Sequence, residues 1–283
     1  MKPLRFRQVH LDFHTAPQIA AIGAAFDKAQ WQAELRNGHV DSITLFAVCH
    51  HGWNYNNTEV GCRHPQLDFD LLRAQFEATK EIDINAPIYL SAGVNDRIAA
   101  AEPGWREVTA AGGYAGWSVN PLQAGFKKLC YNTPYLDYLC RLIEEVVRDF
   151  PGCDGIFLDA ATQGPCCCPR CFEAMLAKGL DPSDPADRAP QARQTLLNYL
   201  ARTKAAATGG RADMPLFHNN GHITKGDHEV LEPRPTWSWY AAPPCGQQRC
   251  ATQVAWQRLR LSRSCCPCWT PKCGYRSMAR LSV

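Results

Sequence analysis

In Phe6-Arg7-Gln8-Val9-His10-Leu11-Asp12-Phe13-His14-Thr15, residues 6–13 read as a strand that is followed by polar side chains rather than by glycines. A doubly wound open sheet usually carries a Gly-rich phosphate loop after its first strand. Here Asp12-Phe13-His14-Thr15 stands in that place. Four further strand-like runs follow, at residues 42–48, 87–92, 155–159 and 214–218. Between them lie helical patterns, clearest where Leu139, Leu142, Ile143, Val146, Val147 and Phe150 recur at three- and four-residue spacing. Another runs through Leu67, Leu71, Leu72 and Phe76 and opens after Asp68 and Asp70, acids suited to a helix start. A third covers residues 191–206, behind a Pro/Asp-rich loop at 181–190.

Alternating strands and helices predict a parallel sheet. Each strand closes on a group that can do chemistry: His14, then His50-His51, Asn95 and Asp96, Asp159, and Asn219-Asn220. In a (β/α)8 TIM barrel all such ends converge on one mouth, where the active sites of that fold lie. The expectation is therefore an α/β fold made of about the first five βα units of a TIM barrel. It forms one domain over residues 1–237, followed by an irregular tail at 238–283.

The chain has 283 residues, 46% of them hydrophobic and 20% charged, which excludes disorder and coiled coil. No run of 18 apolar residues occurs, and Met1-Lys2-Pro3-Leu4-Arg5-Phe6-Arg7 lacks the apolar core of a signal peptide. A cytoplasmic location without membrane contact is expected. The formal charge of +3 is uneven, because all 27 acids and 23 of the Lys and Arg precede residue 241. Residues 241–283 hold six Arg, one Lys and six of the 15 cysteines (Cys245, Cys250, Cys265, Cys266, Cys268, Cys273). That tail lacks the basic stripe of a nucleic-acid or membrane binder and the paired Cys-x-x-Cys units of a metal knuckle. Its composition is the one expected of a shifted reading frame beyond about residue 237.

Two constellations carry chemistry. Asp159 ends a run apolar enough to be a buried strand, and an acid there can attack a sugar carbon or stabilise a developing cation. Capping the next loop is its alternative role. His14, His50 and His51 can donate to substrate hydroxyls while Trp53 stacks on a sugar face; alternatively the histidines are core residues satisfied by backbone. Asn219 closes the fifth strand beside them. Trp105 and Trp117 either line the pocket or pack a loop. The second constellation is Cys166-Cys167-Cys168-Pro169-Arg170-Cys171, whose Cys-x-Cys-x-x-Cys can wrap one side of a tetrahedral zinc, with Cys130 as candidate fourth ligand. Four thiolates leave no open position, so such a zinc is structural. Redox chemistry through Cys168 and Cys171, or four unliganded cysteines, are the alternatives. No Gly-rich loop signals an organic cofactor.

Residues 7–14, His50-His51-Gly52-Trp53-Asn54-Tyr55, Cys130-Tyr131-Asn132-Thr133-Pro134-Tyr135 and Gly155-Ile156-Phe157-Leu158-Asp159 resemble the hypothetical glycosyl hydrolases that include bacterial α-L-fucosidases. The resemblance covers about residues 4–237. It implies a carbohydrate substrate and a retaining exo-hydrolase in which His14, His50 and His51 bind sugar hydroxyls and Asp159 is the nucleophile. The cysteine pattern looks like that of β-galactosidases with a trimerisation domain, relatives that make a homo-oligomer an expectation. Those enzymes place Asn-Glu at the fourth strand, where this chain has Asp159-Ala160, so an α-L-fucoside is favoured over a β-galactoside. Glu232, ahead of Pro233-Arg234-Pro235-Thr236-Trp237, is the nearest match to the family's general acid. A non-catalytic, zinc-stabilised or carbohydrate-binding fragment is the alternative from another class.

Overall fold

Seven consecutive buried residues, Ser42–Val48, form the strand around which the sheet is built. In the computed structural model, which describes residues 5–117 and 125–219, it is β2. It pairs with β1 (Gln8–His10) and β3 (Ile88–Ser91), and β4 (Ile156–Asp159) and β5 (Leu216–Asn219) continue the sheet, all parallel and in the order β1-β2-β3-β4-β5. A doubly wound sheet needs a point where strand order reverses. Strictly sequential order has none, and the architecture is the first part of a (β/α)8 barrel.

The helices are α1 (Lys28–Asn37), α2 (Leu71–Lys80), α3 (Asp96–Ala101), α4 (Tyr135–Asp149), α5 (Pro169–Leu176) and α6 (Pro185–Thr208). Asp70 caps α2 by accepting from Arg73 N at 2.8 Å. The second helix thus begins after Leu67, which bridges to Ile22 instead, so the helical spacing of Leu67 was coincidental. The long α6 starts six residues earlier than its apolar pattern, inside the stretch read as loop. Asp184 caps it and Pro185 occupies its first turn, where a missing N–H costs nothing. β1 is shorter than residues 6–13, because it pairs with β2 at only three positions. Among the described residues no helix is long and apolar enough to cross a membrane.

Parallel pairing puts strand residues in rows. Phe46, Tyr89, Phe157 and Phe217 are successive register partners across β2 to β5, and Ser91, Asp159 and Asn219 form the row two residues further on, on the same face. The first row is an aromatic layer, with Phe46 and Tyr89 stacked at 3.9 Å and Tyr89 and Phe157 at 5.7 Å. The opposite face presents Ile88, Leu90, Ile156, Leu158 and Leu216 to a core shared with Leu139, Leu142, Ile143 and Val146 of α4. Full burial of each such aliphatic side chain is worth about 1.5–3 kcal/mol. The outer face thus holds the helices in place, while the inner face presents aromatics below and polar residues above.

Candidate active site

Asp159 stands at the carboxyl end of β4 with its side chain 15% exposed. Three donors fix its carboxylate. Tyr89 donates its hydroxyl to Oδ2 at 2.6 Å, Asn219 Nδ2 donates to Oδ1 at 2.7 Å, and the Ala160 amide donates to Oδ1 at 2.7 Å. Ala160 takes a left-handed φ of 55°, a conformation costly for a residue with a Cβ and common at functional turns. The Asp159 carbonyl also accepts from Ala92 N at 2.9 Å and Gly93 N at 3.1 Å. Both the backbone and the side chain of this residue are therefore held. Burial and the neighbouring Asp159 carboxylate push the Tyr89 phenol well above its ordinary value, so it remains a donor.

His50 Nε2 lies 3.4 Å from Asp159 Oδ2. Ser91 Oγ donates its single proton to Val94 O at 2.5 Å, so the 2.7 Å contact between Ser91 Oγ and His50 Nδ1 must be donated by the imidazole. Burial pulls the His50 pKa down to about 3, leaving the ring neutral, with its proton on Nδ1. Nε2 is then an acceptor facing an acceptor, and the pair is arranged for a hydroxyl group between or beside them. His14 stacks on His50 with ring centroids 4.0 Å apart and 15° between planes. Its Nδ1 accepts from the His50 amide at 3.1 Å, which turns Nε2–H toward Asp12 Oδ1 at 3.6 Å. His10 reaches the same Asp12 oxygen at 3.1 Å, and together His10 and His14 hold the Asp12 carboxyl far below the usual range.

His51 sits one step outward, with Nδ1 3.5 Å from Asp96 Oδ2. Burial opposes ionisation of Asp96, but His51 and both the amide and ammonium of Lys127 outweigh it and keep the carboxyl below its ordinary value. The start of α3 locks this region, as Asp96 N donates to His50 O at 3.1 Å and Arg97 N to His51 O at 3.2 Å. Asn219 carries a buried Oδ1 without a partner among the described residues.

The structure therefore brings Asp159, His50, His14 and Asn219 together, with His51 beside them. Trp53 is set apart; its ring contact is with His64 at 6.0 Å, in the apolar cluster that contains Tyr55 and Leu71. Glu232 lies outside the described residues. Trp105 packs against the main core, whereas Trp117 lies edge-on to His50 with centroids 5.1 Å apart. Tyr89, Ser91 and Phe126 escaped sequence reasoning. Tyr89 and Ser91 alternate along β3 with a period of two, a signal that places them on one face without saying which residue of β4 they meet.

The sulfur atoms of Cys130, Cys166, Cys168 and Cys171 lie within 4.8 Å of one another, all buried. Zinc–thiolate bonds of about 2.3 Å put tetrahedral sulfurs roughly 3.8 Å apart. Cys130 and Cys171 are at 3.5 Å. Backbone amides of Val108 and Cys168 donate to Cys166 Sγ at 3.3 Å each, and Asn132 N donates to Cys130 Sγ at 3.4 Å. Donors aimed at sulfur are what a thiolate-bound cation requires around it. Cys167 is outside the set, its Sγ turned toward Pro165 O at 3.8 Å. These four residues fit a metal.

Residues 27–160 match the model of a family described as hypothetical glycosyl hydrolase 6. Among solved structures, α-L-fucosidase isoenzyme 2 from Paenibacillus thiaminolyticus is similar at 42% identity with a TM-score of 0.77, over 81% of this chain and 34% of that one. A β-galactosidase from Bacillus circulans sp. alkalophilus (16% identity, TM-score 0.53, 75% of this chain and 35% of that) shares the fold. So does one from Marinomonas ef1 (11%, 0.59, 84% and 41%). The chain spans about a third of the length of the fucosidase it matches. Comparison with proteins of curated function finds no match. The resemblance read from the motifs, to hypothetical glycosyl hydrolases and a fucosidase, agrees with these findings.

Proposed function

We propose that this chain, similar over most of its length to an α-L-fucosidase, carries the nucleophile half of a retaining exo-glycoside hydrolase acting on α-L-fucosides. Its barrel domain is residues 1–237. The observation that carries the reading is Asp159, inward-facing at the end of β4, held by three donors and set 3.4 Å from an acceptor nitrogen of His50. In a retaining mechanism its Oδ attacks the anomeric carbon as the glycosidic bond breaks, and an acid protonates the departing oxygen. Glu232 is the candidate acid; it then takes a proton from the water that releases the sugar.

Neutral His50 accepts one sugar hydroxyl through Nε2. His14 and His51 are the neighbouring hydroxyl ligands, and Asn219 Oδ1 supplies a further acceptor. Trp53 is the candidate stacking residue, on the wall formed with His64. Cys130, Cys166, Cys168 and Cys171 hold a structural zinc, which when bound ties the segment after β3 to the segment after β4. Four thiols kept reduced suit a cytoplasmic protein. No organic, nucleic-acid or membrane partner enters this reading; a homo-oligomer is its expected assembly.

The test is hydrolysis of 4-nitrophenyl α-L-fucoside by the chain, with the anomer of the first product followed by NMR. Release of the α-anomer, abolished in Asp159→Ala, is expected. Full activity in that variant would remove Asp159 as nucleophile. L-Fucose binding without turnover would favour the non-catalytic carbohydrate-binding reading, and turnover of the β-galactoside alone would favour the galactosidase.

A further inference from the structure

α3 is only six residues long, and α2 meets the end of α4 directly across the place a full helix would fill. Phe76 of α2 lies edge-on to Phe150 at 5.3 Å, and Arg73 Nη2 donates to Asp149 O at 2.8 Å. The segment after β2 also packs on α4, where Thr58 Oγ1 and the amides of Glu59 and Val60 donate to the Glu145 carboxylate at 2.6, 2.6 and 3.0 Å. Around Gly52 and the first turn of α4, three donors are left without an acceptor. Asn95 Nδ2, Arg97 Nε and Tyr138 Oη are each buried with no hydrogen-bond partner among the described residues. Asn95 is 1% exposed and Tyr138 6%. A Cβ built on Gly52 would collide with the Asn95 side chain and come within 3.0 Å of Arg97 Cβ, so these two side chains border one spot. The Arg97 guanidinium lies beside the Tyr138 phenol, whose pKa it pulls down against the stronger upward push of burial.

The local bonds fix which atoms stay free. Asn95 Oδ1 accepts from Ile98 N at 2.9 Å, so the amide of this side chain is oriented and Nδ2 is its open end. Arg97 N donates to His51 O at 3.2 Å, which holds the residue behind the His50-His51-Gly52 turn. The acids nearby are already committed. Asp96 faces His51 at 3.5 Å and Lys127 at 3.4 Å, and Glu145 holds its three donors with both oxygens. The half-buried Arg97 side chain therefore has no ion-pair partner among the described residues. Burying donors without acceptors, and a cation without a counter-charge, is costly. A water molecule would accept from two of the donors and leave the charge unanswered, whereas an anion satisfies both needs. One cation matches one negative charge, and neutral amide and phenol donors add no second. We propose that Asn95, Arg97 and Tyr138 form a binding site for one small monovalent anion, with chloride as its simplest occupant. The site stands on binding alone and does not depend on the glycosidase reading.

Chloride is the probe, titrated as its sodium salt into the full chain with sodium gluconate holding the ionic strength constant. The chlorine NMR linewidth should show a broadening that saturates with chloride and is reversed by bromide. Tyr138→Phe removes one donor to a charged ligand, so half-saturation should move up by at least about tenfold. Arg97→Gln should abolish the saturable part, and Arg36→Gln, at an exposed arginine of α1, should leave it as in wild type. Tyr138 Oη has no bond to lose, so Tyr138→Phe should melt no lower than wild type in gluconate. Chloride should then raise the melting temperature of wild type more than that of the variant. No saturable broadening in wild type, or the same broadening and the same melting shift in Tyr138→Phe, would overturn the site and leave water as the acceptor.

Discussion

Tyr89 on β3 and Asp159 on β4 stand two register positions apart on the same face of the sheet, and the phenol of the first donates to the carboxylate of the second at 2.6 Å. The aromatic layer of the barrel interior is thus joined to the polar layer through the Tyr89 hydroxyl, which also lies 3.4 Å from His50 Nδ1. Stacking on Phe46 at 3.9 Å fixes the Tyr89 ring, so the hydroxyl is delivered without a flexible stem. A hydrogen bond to a charged group is worth about 1.5–3 kcal/mol. Tyr89→Phe keeps the stack and removes the bond. It should lower kcat by roughly 10–100-fold with little change in KM. Steady-state kinetics on the aryl fucoside measure this, and an unchanged kcat would show that Asn219 and the Ala160 amide orient Asp159 by themselves.

His50 governs the acid side of stability. Its pKa falls from 6.5 to about 3 on folding, so between those values the unfolded chain binds a proton that the folded chain refuses. Stability from this source is complete above about pH 6.5 and is lost as pH drops toward 3, at about 1.4 kcal/mol per pH unit. His50→Asn retains a donor toward Ser91 and removes the titration. Urea midpoints between pH 4 and 7 should fall less steeply in the variant. His218 is pulled down to about 4 by its own burial, so the slope should flatten rather than vanish.

How much of this was legible follows from which facts are local. The end of each strand is local, since an apolar run and its terminating residue are contiguous, and Asp159, His50 and Asn219 were readable for that reason. Sequential strand order was favoured by polar strand ends and the missing glycine loop. Register between strands is not local, so the meeting of Tyr89 with Asp159 left no mark in either segment. The same holds for Trp117 and Phe126, brought together by pairings within an irregular stretch. Pro185 misled in the other direction. It belongs to the first turn of α6, but among neighbouring aspartates it reads as loop.

Gly93 is required by a close approach. A Cβ built there would collide with the carbonyl oxygen of Ala160 and come within 2.9 Å of its carbonyl carbon. That carbonyl cannot withdraw freely, because Ala160 already holds a left-handed φ and its amide binds Asp159 Oδ1. Gly93→Ala should therefore shift Asp159 and cost about 1–3 kcal/mol, the range for overpacking a filled interior. Activity should fall by more than the stability loss explains. Denaturant unfolding alongside kinetics at a temperature where the variant is fully folded separates the two effects.

The four-cysteine set makes a stoichiometric prediction with an internal control. Cys167 is flanked by two members of the set yet faces Pro165 O, whereas Cys168 is buried among the other three sulfurs. Purified chain should carry one zinc by atomic emission, Cys168→Ser much less, and Cys167→Ser as much as wild type. Val108 packs against this cluster and donates to Cys166 Sγ, and it bridges to Tyr114, three residues before Trp117. Loss of the metal should therefore loosen the segment from residue 105 to 117 before it reaches the strands. Hydrogen exchange should show faster exchange at Val108 and Ala115 in Cys168→Ser, with the amides of β2 to β4 protected as in wild type. Equal zinc in all three proteins would dismiss the site, and uniform acceleration would make it a brace for the whole barrel rather than for the loop that bears Trp117.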